Sequence, residues 1–375
     1  MKKALSYKVI ENQDELRELA GRLSLEGSFA IDIEADSLHS YEGKVCLIQI
    51  STREENYIID VLKLHDLEPL RPLFFDDRIE KALHGADYDI RMLAKDYGME
   101  VRNLFDTMIA GQILGLKGLG LAALLNDYFK VNIDKGLQKA DWSRRPLSKE
   151  MLSYAALDTA HLLSLRDLLA AKLEIKGRME WAREEFHLLS LNRAKPRQPV
   201  SVLTVKGVRD LNGRQLAVLQ ALLEFRDAEA RELDRPPFKV LGSDLLIDIA
   251  KAHPSTLEGL RNIRGVTERV VERYGKSLLE AIKKGNSVPS EQCPRFEKVE
   301  RSRRSEAELQ RFERLKAVSA RIANELAIDP AILCTNASLS AISSATPITL
   351  EETMRVTLKS WQRDLLGREF LAVFE

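Results

Sequence analysis

Three short motifs place acids where acids are costly. Asp32-Ile-Glu34 closes an apolar run, and residues two apart on a strand point to one face, so two carboxylates emerge together from a buried element. Burying two like charges side by side costs several kcal/mol unless a cation or hydrogen-bond donors offset it. Hard divalent cations such as Mg²⁺ or Mn²⁺ supply that offset through oxygen ligands. An ordinary exposed strand end carries the same string, so this motif alone leaves both readings open. His84-Gly-Ala-Asp87-Tyr-Asp89 follows, where a strand breaks at Gly85 and a helix begins. Asp87 suits a helix cap, so only one of the two acids need be functional. In Tyr154-Ala-Ala-Leu-Asp158 the (i, i+4) spacing projects a phenol and a carboxylate from one helical face. A half-buried Tyr beside an exposed Asp gives that pattern too.

The elements that must position these groups read as α/β in the first half of the chain. Strand patterns occur over 7–10, 29–33, 45–51, 56–60 and 79–83, with helical spacing over 12–22, 89–97, 106–114, 119–129 and 149–172. The strands over 29–60 suit an antiparallel meander, with turn chemistry at Glu42 and Gly43. Ser148 suits the N-cap of the last helix. Residues 192–200 are basic and proline-containing without an apolar period, and everything after them is helical in pattern. The expected division is a catalytic α/β domain over 1–192, a linker over 193–206, a helical domain over 207–286, a linker over 287–306 and a second helical domain over 307–375. At an offset of 93, Pro237, Leu246, Ile249, Pro254, Thr256 and Leu257 match Pro330, Leu339, Ile342, Pro347, Thr349 and Leu350, so the two helical blocks read as a duplicated module.

Composition narrows the class. The chain has 375 residues, 45% hydrophobic and 30% charged, with 57 basic against 57 acidic side chains. That length suits two or three globular domains. A zero balance speaks against the basic footprint of many nucleic-acid binders, but it averages two halves. Residues 1–200 carry 29 Lys and Arg against 32 Asp and Glu, and residues 201–375 carry 28 against 25. No apolar run approaches the ~18–20 residues of a membrane span and no secretory leader is evident, so a cytoplasmic protein is expected. Cys46, Cys293 and Cys334 are odd in number and far apart, which indicates neither a disulfide framework nor a zinc site.

The ordered set of a strand Asp-x-Glu, an Asp about 55 residues on and a helical Tyr-x-x-x-Asp about 70 residues further resembles the DEDD exonuclease superfamily. The Tyr places the resemblance in the tyrosine subgroup; Ser153 stands where the other subgroup has a His. Phe105-Asp106-Thr107, Gln138-Lys-Ala-Asp141-Trp142 and Arg145-Pro146-Leu147 are similar to ribonuclease D. Pro236-Pro237-x-x-Val240-Leu241, Leu246-x-x-Ile249-Ala250-x-x-x-Pro254 and Gly275-x-x-Leu278-Leu279, with Trp361-Gln-Arg-Asp-Leu-Leu-Gly367 in the last block, resemble its HRDC domains. The resemblance implies a ribonuclease H-like mixed sheet flanked by helices, followed by two small all-α domains.

It also implies a site: Asp32, Glu34 and Asp158 around one divalent cation, with Asp32 bridging to a second that Asp89 holds through water. Of Asp87 and Asp89, the family spacing selects Asp89. Two Mg²⁺ or Mn²⁺ ions about 3.5–4 Å apart activate a water and stabilise the leaving 3′-oxygen, while the Tyr154 hydroxyl orients that water. The implied activity releases 5′-mononucleotides from a free RNA 3′ end, as in maturation of tRNA and other stable RNA precursors, by a monomeric protein. Candidate substrate contacts are Tyr41, Tyr88 and Trp142 for base stacking, against buried packing as the alternative for Trp142. Lys139, Arg144 and Arg145 are candidates for phosphates, against an ordinary solvated loop. The basic runs over 261–273 and 301–314 read either as solvated helix faces or as RNA-holding surfaces on flexibly linked modules. The same chemistry on DNA, and a catalytically inactive nucleic-acid-binding protein, are the alternatives. With two divalent ions bound, the first half would move from a net of −3 to about +1.

Overall fold

The computed structural model describes residues 5–133, 135–296, 304–346 and 348–375. Six strands, β1 (Lys8–Ile10), β2 (Ser28–Ala35), β3 (Val45–Ser51), β4 (Asn56–Ile59), β5 (Glu80–Leu83) and β6 (Leu104–Asp106), form one sheet in the order β1-β4-β3-β2-β5-β6. β2, β3 and β4 make the antiparallel meander; β1 joins β4, β5 joins β2 and β6 joins β5 in parallel, so the sheet is mixed. Alternation sorts the strand residues between two faces. Ile31, Ile33, Ile48 and Ile50 enter the main core. The other face carries Asp32, Glu34, Leu47 and Gln49.

The helices of this half are α1 (Gln13–Leu23), α2 (Arg71–Phe75), α3 (Asp87–Tyr97), α4 (Thr107–Leu114), α5 (Leu121–Phe129), α6 (Lys149–Ala160), α7 (Leu162–Ile175) and α8 (Met179–Ser190). The long helix expected over 149–172 is two helices. His161 leaves helical geometry at φ −112°, ψ 0°, and its ring stacks 6.4 Å from Phe129. The break lets α6 lie across β2, β3 and β4 while α7 follows β2 and β5. A Ser51–Thr159 hydroxyl pair at 2.6 Å ties the end of α6 to β3. β6 was hidden in the sequence because the Asp106 side chain caps α4, accepting from Met108 N and Ile109 N, so strand and helix abut without a spacer.

The described residues fall into two compact units. One is drawn from Met1–Ala35, Val45–Ala194 and Ser302–Glu375, the other from Asp36–Lys44 and Lys195–Arg301. The second unit contains α9 (Gly213–Glu232), α10 (Pro237–Val240), α11 (Ser243–Ala252), α12 (Leu257–Arg261) and α13 (Glu268–Asn286) around its own core of Leu219, Leu222, Leu246, Ile249, Leu260 and Leu278. Gly285 is needed there, since a Cβ would lie 2.4 Å from Val218 Cα. The β2–β3 connection, Asp36–Lys44, belongs to this unit and is a loop that contains Glu42 and Gly43. Tyr41 pins it: the backbone N–H donates to Asp234 (3.0 Å), the hydroxyl donates to Asp227 (2.7 Å), and the Arg197 guanidinium lies 3.9 Å over the ring. Tyr41 is 9% exposed, so the expectation that it stacks on a base does not hold.

The last block, α14 (Glu306–Leu326), α15 (Pro330–Leu333), α16 (Asn336–Ser343), α17 (Leu350–Thr357) and α18 (Ser360–Ala372), repeats the order of α9–α13. Pro237 and Pro330 open α10 and α15, and Thr256 and Thr349 stand at the N-caps of α12 and α17. Leu246 and Leu339, and Ile249 and Ile342, are buried equivalents; Pro347 lies outside the described residues. This block does not close on a core of its own: Leu315, Leu333, Leu339, Trp361 and Phe370 share the core of the α/β half. Trp361 stacks on Trp181 at 5.2 Å and donates to Glu185 (2.9 Å), and Arg178 bridges Ile113 O and Leu326 O. Gly115, at φ 79°, sits so close that a Cβ would fall 1.8 Å from Ala327 O. Of the linker expected over 287–306, residues 297–303 lie outside the described residues.

Candidate active site

β2 delivers Asp32 and Glu34, and α6 delivers Tyr154 and Asp158 onto the same face of the sheet. Asp32, Glu34 and Asp158 each offer an oxygen, all within 4.8 Å of one another. They line an open cleft of about 410 Å³ with Tyr154, His84, Gln138 and the start of α5 at Gly120–Ala122. Asp89, in the first turn of α3, is 7% exposed and stands outside that trio.

The electrostatics are those of acids lacking a counter-charge. Burial, then the charges of Asp32, Asp158 and Asp89, push Glu34 up to about 10. Burial raises Asp32 to about 7 and, with Asp32 alongside, Asp158 to about 8. Asp89 is raised well above the carboxylate range by burial and by Asp32. Burial and the same carboxylates push the Tyr154 phenol far above its usual value, so it stays protonated, and it hydrogen-bonds Asp158. Four acids held this way suit divalent cations, whose charge removes the like-charge repulsion. A bare carboxylate donor set with no Cys or His ligand fits Mg²⁺ or Mn²⁺.

Two residues next to these motifs shape the site without having been singled out. Asp106 is fully buried, and its carboxylate accepts from Gly85 N (3.1 Å) and Ala86 N (2.7 Å), fixing the turn that launches α3 and Asp89. His84 shares a hydrogen bond with Thr107 (2.9 Å) on the cleft wall, and burial lowers its pKa. Both lie in quoted strings, but the burial that gives them their roles comes from β5 and β6 pairing. Asp87 does not cap α3, as it suited: Ala86 is the N-cap, and Asp87 pairs with Arg91 (2.6 Å) and accepts from Asn192 (2.7 Å).

The expected substrate contacts divide. Trp142 is 1% exposed and packs beneath Tyr154 at a ring separation of 6.0 Å, so it supports the phenol and offers no face to a base. The guanidinium of Arg145 grips the buried Asp60 through two bonds (2.6 and 2.5 Å) and three backbone carbonyls, which corrects its expected role with phosphate. Arg144 pairs with Asp141 (3.1 Å). Tyr88 on α3, 39% exposed, and Lys139 remain at the surface. In the helical blocks, Arg261 pairs with Glu268 (2.7 Å), Arg304 and Arg311 lie over Phe312 and Phe374, and residues 301–303 are outside the described residues. No helix of the described residues is long and apolar enough to cross a membrane.

Comparison with known proteins agrees with this architecture. Residues 7–174 match a 3′-5′ exonuclease domain, and residues 215–282 and 308–374 each match the HRDC domain. Ribonuclease D of Gluconacetobacter diazotrophicus is 29% identical over 368 residues, covering 97% of this chain and 92% of that protein. The catalytic core of RRP6 from Trypanosoma brucei is 32% identical with a TM-score of 0.66, covering 75% of this chain and 80% of that one. The chain belongs to the ribonuclease D family. Protein RRP6-like 2 of Arabidopsis thaliana is 37% identical over 296 residues, and the chain spans only 33% of that longer protein's length. Ribonuclease D family membership accounts for the order of the parts, a mixed-sheet exonuclease domain followed by two HRDC domains. Its exonuclease superfamily is generally divalent-metal dependent, in keeping with the acidic cluster.

Proposed function

We propose that this chain is a divalent-cation-dependent 3′-5′ exoribonuclease that releases 5′-mononucleotides from the 3′ end of RNA, with tRNA and other stable RNA precursors as substrates. The observation that carries it is the convergence of Asp32, Glu34 and Asp158 within 4.8 Å, in an open cleft beside Tyr154. Asp32, Glu34 and Asp158 would hold one cation, and Asp32 with Asp89 a second, Mg²⁺ or Mn²⁺. When bound, such cations polarise the phosphodiester and lower the pKa of a water.

The residues of the chain do the rest. Tyr154 stays protonated, so its hydroxyl holds the attacking water by a hydrogen bond and removes no proton from it. Trp142 packs under that ring and limits its movement. Asp106 holds the Gly85–Ala86 turn and so the position of Asp89. The open cleft suits a single-stranded end. Tyr88 and Lys139, at the surface, are the stacking and phosphate contacts retained in this reading.

The test uses 5′-labelled single-stranded RNA and matched DNA with Mg²⁺, Mn²⁺ or EDTA. The reading expects RNA shortened progressively from its 3′ end in metal and intact in EDTA. DNA degraded as fast as RNA would remove the ribonuclease assignment.

A further inference from the structure

Gln49 stands at the middle of β3 and is fully buried, yet neither its amide nitrogen nor its carbonyl oxygen has a hydrogen-bond partner among the described residues. An unpaired buried amide costs about 1–3 kcal/mol, and an apolar residue of similar size would avoid that cost. Register gives the group an address. Gln49 lies directly opposite Asp32 on β2, and opposed residues of an antiparallel pair project from the same face as nearest cross-strand neighbours. On its other side Gln49 faces Ile58 of β4, which has no polar side-chain atom. Two residues along β3 on that face, Leu47 is apolar, and Ser51 is committed to Asn56 (2.8 Å) and Thr159 (2.6 Å). Above them α6 presents Ala155 and Ala156 to the same cluster. Among these neighbours Asp32 alone can accept a hydrogen bond from the amide and lines the cleft.

We propose that Gln49 is a positioning residue for Asp32: with a divalent cation in the cleft, its carboxamide donates a hydrogen bond to the Asp32 carboxylate and fixes the oxygen that ligates. The inference rests on the cation-dependent reading above. Groups that orient ligating carboxylates from behind typically contribute 10–100-fold in metal affinity. A hydrogen bond made only with the cation bound contributes nothing to the cation-free protein, so measurements with and without the cation separate the positioning role from simple packing.

Calorimetric titration of Mn²⁺ into the full chain, with thermal unfolding of the cation-free protein, tests this in wild type, Gln49→Leu, Gln49→Met and Asp32→Asn. Gln49→Leu and Gln49→Met are expected to melt within about 4 °C of wild type or above it when cation-free, because no hydrogen bond is removed. Both are expected to bind Mn²⁺ about 10–100-fold more weakly. Wild-type Mn²⁺ affinity in the two variants would overturn the assignment, as would cation-free melting lowered by more than about 4 °C in both. A wild type that binds no Mn²⁺, or an Asp32→Asn that binds it equally well, would instead refute the cation reading and this inference with it.

Discussion

The two HRDC domains have the same helices in the same order and opposite relations to the rest of their units. α9–α13 close on a core of their own, while α14–α18 complete the core that the sheet and α4, α7 and α8 begin. The close-contact glycines show the difference. Gly285 makes room for Val218 within its own domain, whereas Gly115 of the exonuclease domain makes room for Ala327 of the second HRDC domain. A duplicated helical module can thus keep its local plan while one copy turns an apolar face into a wall of the catalytic unit. The first copy holds the Asp36–Lys44 loop, which leaves β2 just after the acids, through Tyr41, Asp227 and Asp234.

If the comparison is right, the largest effect comes from ending the chain after residue 296. That removes the shared wall, and the exonuclease unit should lose its cooperative transition in scanning calorimetry; retention of that transition at wild-type temperature would break the comparison. Trp361→Ala should lower the transition of the exonuclease unit by about 3–5 kcal/mol, since it empties the stack on Trp181 and removes one hydrogen bond to Glu185. Leu278→Ala, cutting a comparable apolar group from the first HRDC core, should cost about 2–5 kcal/mol in the other unit and leave the exonuclease transition where it was. Saturating Mg²⁺ at about 100 times Kd should raise the exonuclease transition by about 2.7 kcal/mol and leave the other in place.

A pH slope gives a further test. Burial, with repulsion from Asp32 added for Glu34 and Asp158, pushes Glu34, Asp32 and Asp158 in the folded chain up to about 10, 7 and 8 from ordinary values of 4.5, 3.8 and 3.8. Between those limits the folded chain holds more protons than the unfolded one, so stability falls as pH rises. The cation-free exonuclease transition should therefore be most stable below about pH 4 as far as these groups are concerned and decline toward pH 10. Calorimetry across that range should show the decline in wild type and a shallower one in Asp158→Asn.

Much of this was legible in the sequence where local physics dominates. The meander, the Asp-x-Glu strand end and the paired helical blocks follow from periodicity and spacing, and all depend on residues close in the chain. What the sequence hid depends on distant partners. The break at His161 has no Gly or Pro to mark it, and its cause is α6 lying across three strands. Arg145 reads equally as a phosphate binder or as part of a solvated loop until Asp60 is found buried beside it, and the choice between packing and stacking for Trp142 is decided only when α6 covers it. Gln49 is an unremarkable polar residue in an apolar run until register sets it against Asp32. The merging of the second HRDC domain with the exonuclease core was likewise invisible, because an amphipathic helix does not declare which surface its apolar face will meet.

We propose that the acids of β2, α3 and α6 form a cation-dependent 3′-end nuclease. The most direct measurement follows 5′-labelled single-stranded RNA in Mg²⁺ and in EDTA with wild type and with Asp158→Asn, which is expected to stay folded. A ladder shortening from the 3′ end is expected with wild type in Mg²⁺, none in EDTA, and at least a ~10³-fold slower rate for Asp158→Asn. Wild-type turnover by Asp158→Asn, or cleavage that proceeds equally in EDTA, would contradict it.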